Sequence, residues 1–162
     1  MKKLLSLVLA LVLCLTAASA FAAVASKTVG IVTVIDDVMT NNEVAVPETA
    51  ADEVAELIEK GPAAFFGLEG IDNLAIDEYA VMDVSTNDVE ADDDGKVVAK
   101  FHVLFPYAKD QVVTVLLGIV NEDKTIEWHK YEGVADENGD IIATVDKDVL
   151  ENATRFACGV IA

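Results

Sequence analysis

Cysteine is nearly absent from this sequence, with two in 162 residues, Cys14 and Cys158. Cys14 lies in an N-terminal apolar run, so a chain that loses that run keeps one thiol and forms no internal disulfide. Basic residues are also scarce: 11 Lys and Arg stand against 29 Asp and Glu, for a formal net charge of −18. Binding nucleic acid or an anionic membrane surface requires a basic footprint, and its lack excludes both as partners. Histidine occurs only as His102 and His129, distant in sequence from each other and from Cys158, which removes the clustered soft ligands of a zinc site. There is no Gly-x-Ser-x-Gly elbow, and beyond residue 22 serine occurs only at Ser26 and Ser85. Carboxylates for a glycosidase pair are plentiful, yet a lone tryptophan, Trp128, offers little to line a sugar cleft.

What is present begins with a leader. Lys2 and Lys3 form a positive start, the stretch from Leu4 to Leu15 is almost wholly apolar, and Ala18-Ser19-Ala20 and Ala20-Phe21-Ala22 supply small residues for cleavage. The apolar run is too short for the roughly 20 residues of a membrane-spanning helix. Residues 1–22 are therefore read as a secretory signal peptide, and the protein is expected to be secreted, with no membrane insertion after cleavage. Leu13 before Cys14 argues against lipid attachment. Cleavage removes Lys2 and Lys3 and takes the net charge from −18 to −20. Such acidity serves solubility, cation binding or attraction to a basic partner.

The exported chain divides into a region of strand, helix and acidic loop (23–95) and an antiparallel meander (96–162), expected to form one fold. Thr28 to Ile35, rich in Val, Ile and Thr, reads as a strand that exits into a loop over Asp36 to Asn42. From Thr49 to Lys60, Ala51, Val54, Ala55 and Ile58 recur at helical spacing with acids opposite. Thr49 with Asp52 has the form of a capping box, Glu56 can pair with Lys60, and Gly61-Pro62 stops the helix. Tyr79 to Ser85 reads as a strand. Further strands are expected near Val97–Phe105, Val112–Val120, Ile126–Val134, Ile141–Val145 and Arg155–Ile161, with a helical turn in Asp146 to Asn152. Val112 to Val120 is apolar on both faces and reads as a central strand buried on both sides. Asn138-Gly139 is a type I′ hairpin pair. Short strands at this spacing predict a mainly β fold, a β-sandwich or barrel, with one amphipathic helix near the N-terminus; of the two, an antiparallel β-sandwich is the expected form.

The order FHVLFPYAKDQVVTVLLGIV, then IEWHKYEGVADENGDIIATVDKDVLE, then a closing apolar strand resembles an immunoglobulin-like accessory module that recurs in secreted and surface proteins of Gram-positive anaerobes. The resemblance covers the C-terminal part of the chain and implies a β-sandwich with a binding or structural role. It brings no catalytic residue with it, and a fold alone does not imply a function.

Glu90, Asp92, Asp94 and Gly95 fall at positions 1, 3, 5 and 6 of an EF-hand register, but position 12 is Phe101 where a bidentate Glu is needed. Glu90, Asp92 and Asp94 remain a calcium candidate as a looser surface site, against the simpler reading of a solvated acidic loop. Asp136, Asn138 and Asp140 offer similar oxygens, better explained by the turn. Cys158, in an apolar run, is read as a small buried hydrophobe. Phe101 and Phe105 share a face with Val97, Ala99 and Val103 and read as core, as does Trp128. Tyr107, beside Pro106 in a turn, is the aromatic expected to be exposed and is the candidate partner-binding residue. The expected function is a secreted, non-catalytic binding or structural module of the cell exterior, whose partner is a protein or a surface polymer. The alternatives are a calcium-stabilised extracellular domain and a small secreted hydrolase.

Overall fold

A computed structural model describes residues 32–36, 39–84 and 91–162. The leader read over residues 1–22 and the candidate Glu90 lie outside them. The elements in chain order are β1 (Val32–Asp36), β2 (Met39–Glu48), α1 (Ala51–Lys60), α2 (Pro62–Phe66), β3 (Leu74–Asp83), β4 (Lys96–His102), β5 (Val112–Val120), β6 (Ile126–Ala135), β7 (Ile141–Asp146), α3 (Lys147–Asn152) and β8 (Arg155–Ile161).

The strands pair in the order β1-β2-β3-β8-β5-β6-β7-β4, and β2 also pairs with β4. That last pairing closes β2 to β8 into a seven-stranded barrel, with β1 attached to β2. The expected immunoglobulin-like sandwich is therefore corrected. Sandwich and barrel are built from the same alternating strands, and only the meeting of the end strands separates them. The closing strand is β2, whose first half runs parallel to β4 from Asn41↔Val98 to Ala45↔His102, while its second half meets β3 antiparallel. Its polar opening, Met39-Thr40-Asn41-Asn42-Glu43, gives no alternation and reads locally as loop.

Alternation sends one set of side chains into the barrel and the other outward. Phe101 and Phe156 stack at 5.1 Å in the interior, amid Val97, Val113, Leu117 and Val145, all buried. Val149 and Leu150 of α3 join this core between β7 and β8. Outside, α1 and α2 lie over β3, β5, β6 and β8, where Leu57, Phe66, Tyr79, Leu116, Trp128 and Ala157 make a second apolar layer. Phe66 meets Trp128 edge-on at 4.7 Å. Trp128 is thus buried, as expected, but in the helical layer and not in the barrel. β5 has Val113, Val115 and Leu117 in the barrel and Leu116 under the helices, which is why it reads as apolar on both faces.

The helix itself departs from its expected details. Its N-cap is Ala50 with no side-chain cap, so the Thr49–Asp52 capping box does not form. Its buried residue is Leu57, while Ile58 is 69% exposed. The helix is rotated because Glu53 also faces the barrel, where Arg155 Nε donates to both carboxylate oxygens at 3.1 and 2.9 Å and the Tyr79 hydroxyl donates to Oε2. Glu56 and Lys60 pair as their spacing predicts.

Three loops share one turn. In Asp92–Lys96, Asn121–Thr125 and Asp136–Asp140 the fourth residue's N–H donates to the first carbonyl, the first N–H donates to the fifth carbonyl, and the fourth residue has positive φ. That is a type I turn followed by a bulge. Asn138 lacks the positive φ that the expected type I′ turn requires, and only Gly139 has it, at 85°.

β3 carries a bulge between Ile76 and Glu78 where it pairs with β8. Opposite it, a Cβ on Gly159 would collide with the Ala75 oxygen and lie 2.8 Å from the Ala75 carbonyl carbon. Backbone cannot yield there as a side-chain tip can. Gly159→Ala is expected to lower stability by about 3 kcal/mol or more, read as a fall in the urea midpoint; an unchanged midpoint would show that β3 gives way freely.

Candidate functional site

The bulge in β3 decides where two acids go. Ile76 and Tyr79 both face the helical layer, which strict alternation forbids for residues three apart, so the extra residue turns Asp77 and Glu78 towards one end of the barrel. There they meet the loop that follows β4. Glu78 Oε2 accepts from Leu104 N–H at 2.8 Å and Phe105 N–H at 3.2 Å. Asp77 Oδ2 accepts from the Tyr107 hydroxyl at 2.9 Å, and that hydroxyl lies 3.3 Å from Cys158 Sγ inside the barrel.

Burial raises the Glu78 pKa above the usual carboxylate range, although the two amides pull the other way. Burial likewise raises Tyr107, which the neighbouring Cys158 and Asp77 push further. It raises Cys158 as well, against the opposing effect of the neighbouring Tyr107 hydroxyl. The thiol is thus protonated and inert at neutral pH, in keeping with its reading as a small buried hydrophobe.

The loop inverts two expectations. Tyr107, expected at the surface, is 5% exposed. Pro106 fixes the turn in front of it, and its ring enters the core because its hydroxyl finds a carboxylate there, as a buried tyrosine requires. Phe105, expected in the core, is 40% exposed, and Leu104 beside it is 59% exposed. β4 ends at His102, so the alternation that placed Phe105 with Phe101 does not extend to it.

Two further polar groups tie strands together. Lys100 Nζ lies 2.9 Å from Asp136 Oδ2 and 3.3 Å from Asp140 Oδ2, while His102 Nδ1 lies 3.0 Å from Asp140. Burial pushes Asp136 upwards, but Lys100 and the amides of Asn138 and Asp140 outweigh it and hold the carboxyl below its ordinary value. Towards the opposite end, Lys96 and the Tyr131 hydroxyl both bind the Asp146 carboxylate, Tyr131 at 2.8 Å, and lower its pKa.

Of the calcium candidates, Asp92 and Asp94 lie in the described turn that leads into β4. Asp92 Oδ1 accepts from the N–H groups of Asp94 at 3.0 Å and Lys96 at 2.7 Å, closing the turn locally. Asp94 is exposed. Asp136 does the same for Asn138 and Asp140. Among the described residues no group of three or more His, Cys, Asp or Glu side chains is placed to hold a metal.

The pair Asp77-Glu78 was missed in the sequence, yet it leaves a trace: two acids between Ile76 and Tyr79 break the strand's alternation as a bulge does. Glu78→Gln keeps an acceptor for the loop amides and removes a charge that burial disfavours. A folded-state pKa above the unfolded value makes the wild type gain stability as pH falls through that pKa. Glu78→Gln should therefore be at least as stable as wild type at pH 7 and lose this advantage on acidification, whereas Glu78→Ala should lose about 1 kcal/mol at both pH values. Thermal melts across the carboxylate range would check it, and parallel curves for wild type and Glu78→Gln would refute it. A maleimide should leave Cys158 unlabelled in the native protein and label it after urea; rapid native labelling would show an open barrel. No family model, curated protein or solved structure matches the chain.

Proposed function

We propose that this protein is a secreted, non-catalytic binding module of the cell exterior, whose barrel presents the Leu104–Phe105 tip to another protein or a surface polymer. The observation that carries the reading is the anchoring of that tip. Large apolar side chains on a loop are ordinarily a liability, but here the backbone beneath them is fixed by Glu78 and flanked by the buried Tyr107. A tip held in this way loses little conformational freedom on binding. Phe105 also rests on the Tyr107 ring, centroids 4.7 Å apart, which orients it.

Other features support the same reading. The barrel interior is filled by its own side chains, with Phe101, Phe156, Leu117 and Ile141 among the fully buried ones, so the outer surface and loops are the parts available to a partner. Cys158 and Tyr107 are protonated at neutral pH, and the carboxylates of Asp77, Asp136 and Asp146 are engaged by donors that hold the fold together. Export is supported by the leader pattern of Lys2-Lys3, Leu4–Leu15 and Ala18–Ala22.

Protein recovered from culture medium should have the intact mass of a chain cut near residue 22, and immobilised cell-wall material or extracellular matrix should retain it. Leu104→Ala with Phe105→Ala should weaken retention about tenfold or more while leaving the melting temperature close to wild type. Tyr107→Phe, which keeps the ring, should cost about 1 kcal/mol of stability without affecting retention. Retention by none of these materials, or retention indifferent to the double substitution, would overturn the assignment.

A further inference from the structure

The helical layer covers only part of the outer face of β5, β6 and β8. Leu116, Trp128 and Ala157 lie beneath it. Farther along the same strands, on the same face, Val112 is 57% exposed, Val134 40% and Ile161 60%. Val112 sits directly opposite Val134 in the ladder, and Val112 and Ile161 line one open groove with Thr114, Lys130 and Glu132. We propose that this groove is a homodimer interface, filled by the same face of a second copy of the chain. The apolar residues meet across a two-fold axis, and Lys130 of each copy faces Glu132 of the partner subunit.

Charge selects this occupant. Each chain carries −18, so two copies repel over most of their surfaces. The groove is different: one cation and one anion stand two residues apart on β6, so the patch is formally neutral and complementary to itself under two-fold rotation. Lys130 Nζ donates to the Glu69 carbonyl at 3.0 Å, which steadies the ammonium at the groove margin and leaves it N–H groups for a partner carboxylate. A strongly basic partner would be drawn to the acidic surface at large and gains nothing from a neutral groove lined by Val and Ile.

This geometry gives a salt dependence opposite to that of binding a basic partner. Screening removes the repulsion between two anionic bodies, the Debye length falling from about 30 Å at 0.01 M to about 3 Å at 1 M, so added salt should strengthen the dimer. Sedimentation equilibrium on the purified protein should show mostly monomer at about 0.02 M NaCl and a dimer whose Kd falls at least about tenfold by 1 M. Val112→Glu should abolish the dimer, whereas Val120→Glu, which adds the same charge at the other end of β5, should leave it intact. Ile161→Ser should weaken it about tenfold without any change of charge. Monomer at every salt concentration, a dimer strongest at low salt, or equal losses from Val112→Glu and Val120→Glu would each overturn the proposal. None of these results bears on the Leu104–Phe105 tip, which the retention assay tests separately.

Discussion

The barrel depends on β2 reaching two partners. Its first half lies along β4 and its second half along β3, so the ladder that begins at β3 and passes through β8, β5, β6, β7 and β4 returns to its start. Without that strand, β3 and β4 would be open edges with unpaired N–H and carbonyl groups, prone to pair with other chains. Closure also creates the interior: Phe101, Phe156, Cys158 and Leu117 are fully buried because the sheet wraps around them and not because a second sheet covers them. The parallel pairing of β2 with β4 is what a simple meander could not supply.

Closing a sheet of mixed direction imposes local irregularity, and the bulge at Asp77 is where it becomes chemistry. The close approach of β3 to Gly159 excludes any side chain there. The same bulge brings two adjacent carboxylates to one end of the barrel, where each satisfies donors from a loop that would otherwise have few fixed contacts. A run of polar residues in a strand thus positions an apolar tip on a loop. The bond from the Tyr107 hydroxyl to Asp77 is part-buried and so less screened than the exposed bonds that Glu78 accepts from Leu104 and Phe105.

Much of the secondary structure was legible because it is local. β5 and β8 fall at their expected residues, Val112–Val120 and Arg155–Ile161, since their composition and turn boundaries decide them. Architecture was not legible, because closure depends on β2, whose Thr40-Asn41-Asn42-Glu43 run carries no periodic signal and gains its strand conformation from two neighbours. The site was misread for a related reason. Proximity to Pro106 suggested exposure for Tyr107, yet what decides its burial is an acid at Asp77, thirty residues earlier in the chain. The helix face was misjudged by counting apolar residues alone: Glu53 belongs to the inward side through Arg155 and Tyr79.

In so acidic a chain, carboxylates are poor markers of function and cations are good markers of architecture. Acids are numerous enough to fill turns: Asp92 and Asp136 begin two bulged turns and close them with their own side chains. Cations are few; Lys60 and Lys147 pair within their own helices, and four others lie at joints. Arg155 fixes α1 to β8, Lys100 ties β4 to the turn between β6 and β7, Lys96 joins β4 to β7, and Lys130 ties β6 to the loop after α2. Each of these contacts spans positions distant in sequence, and at Lys100 the cation stands between two carboxylates, Asp136 and Asp140. An excess of one sign makes the minority charge informative, because every placement of it relieves repulsion at one chosen point and nowhere else.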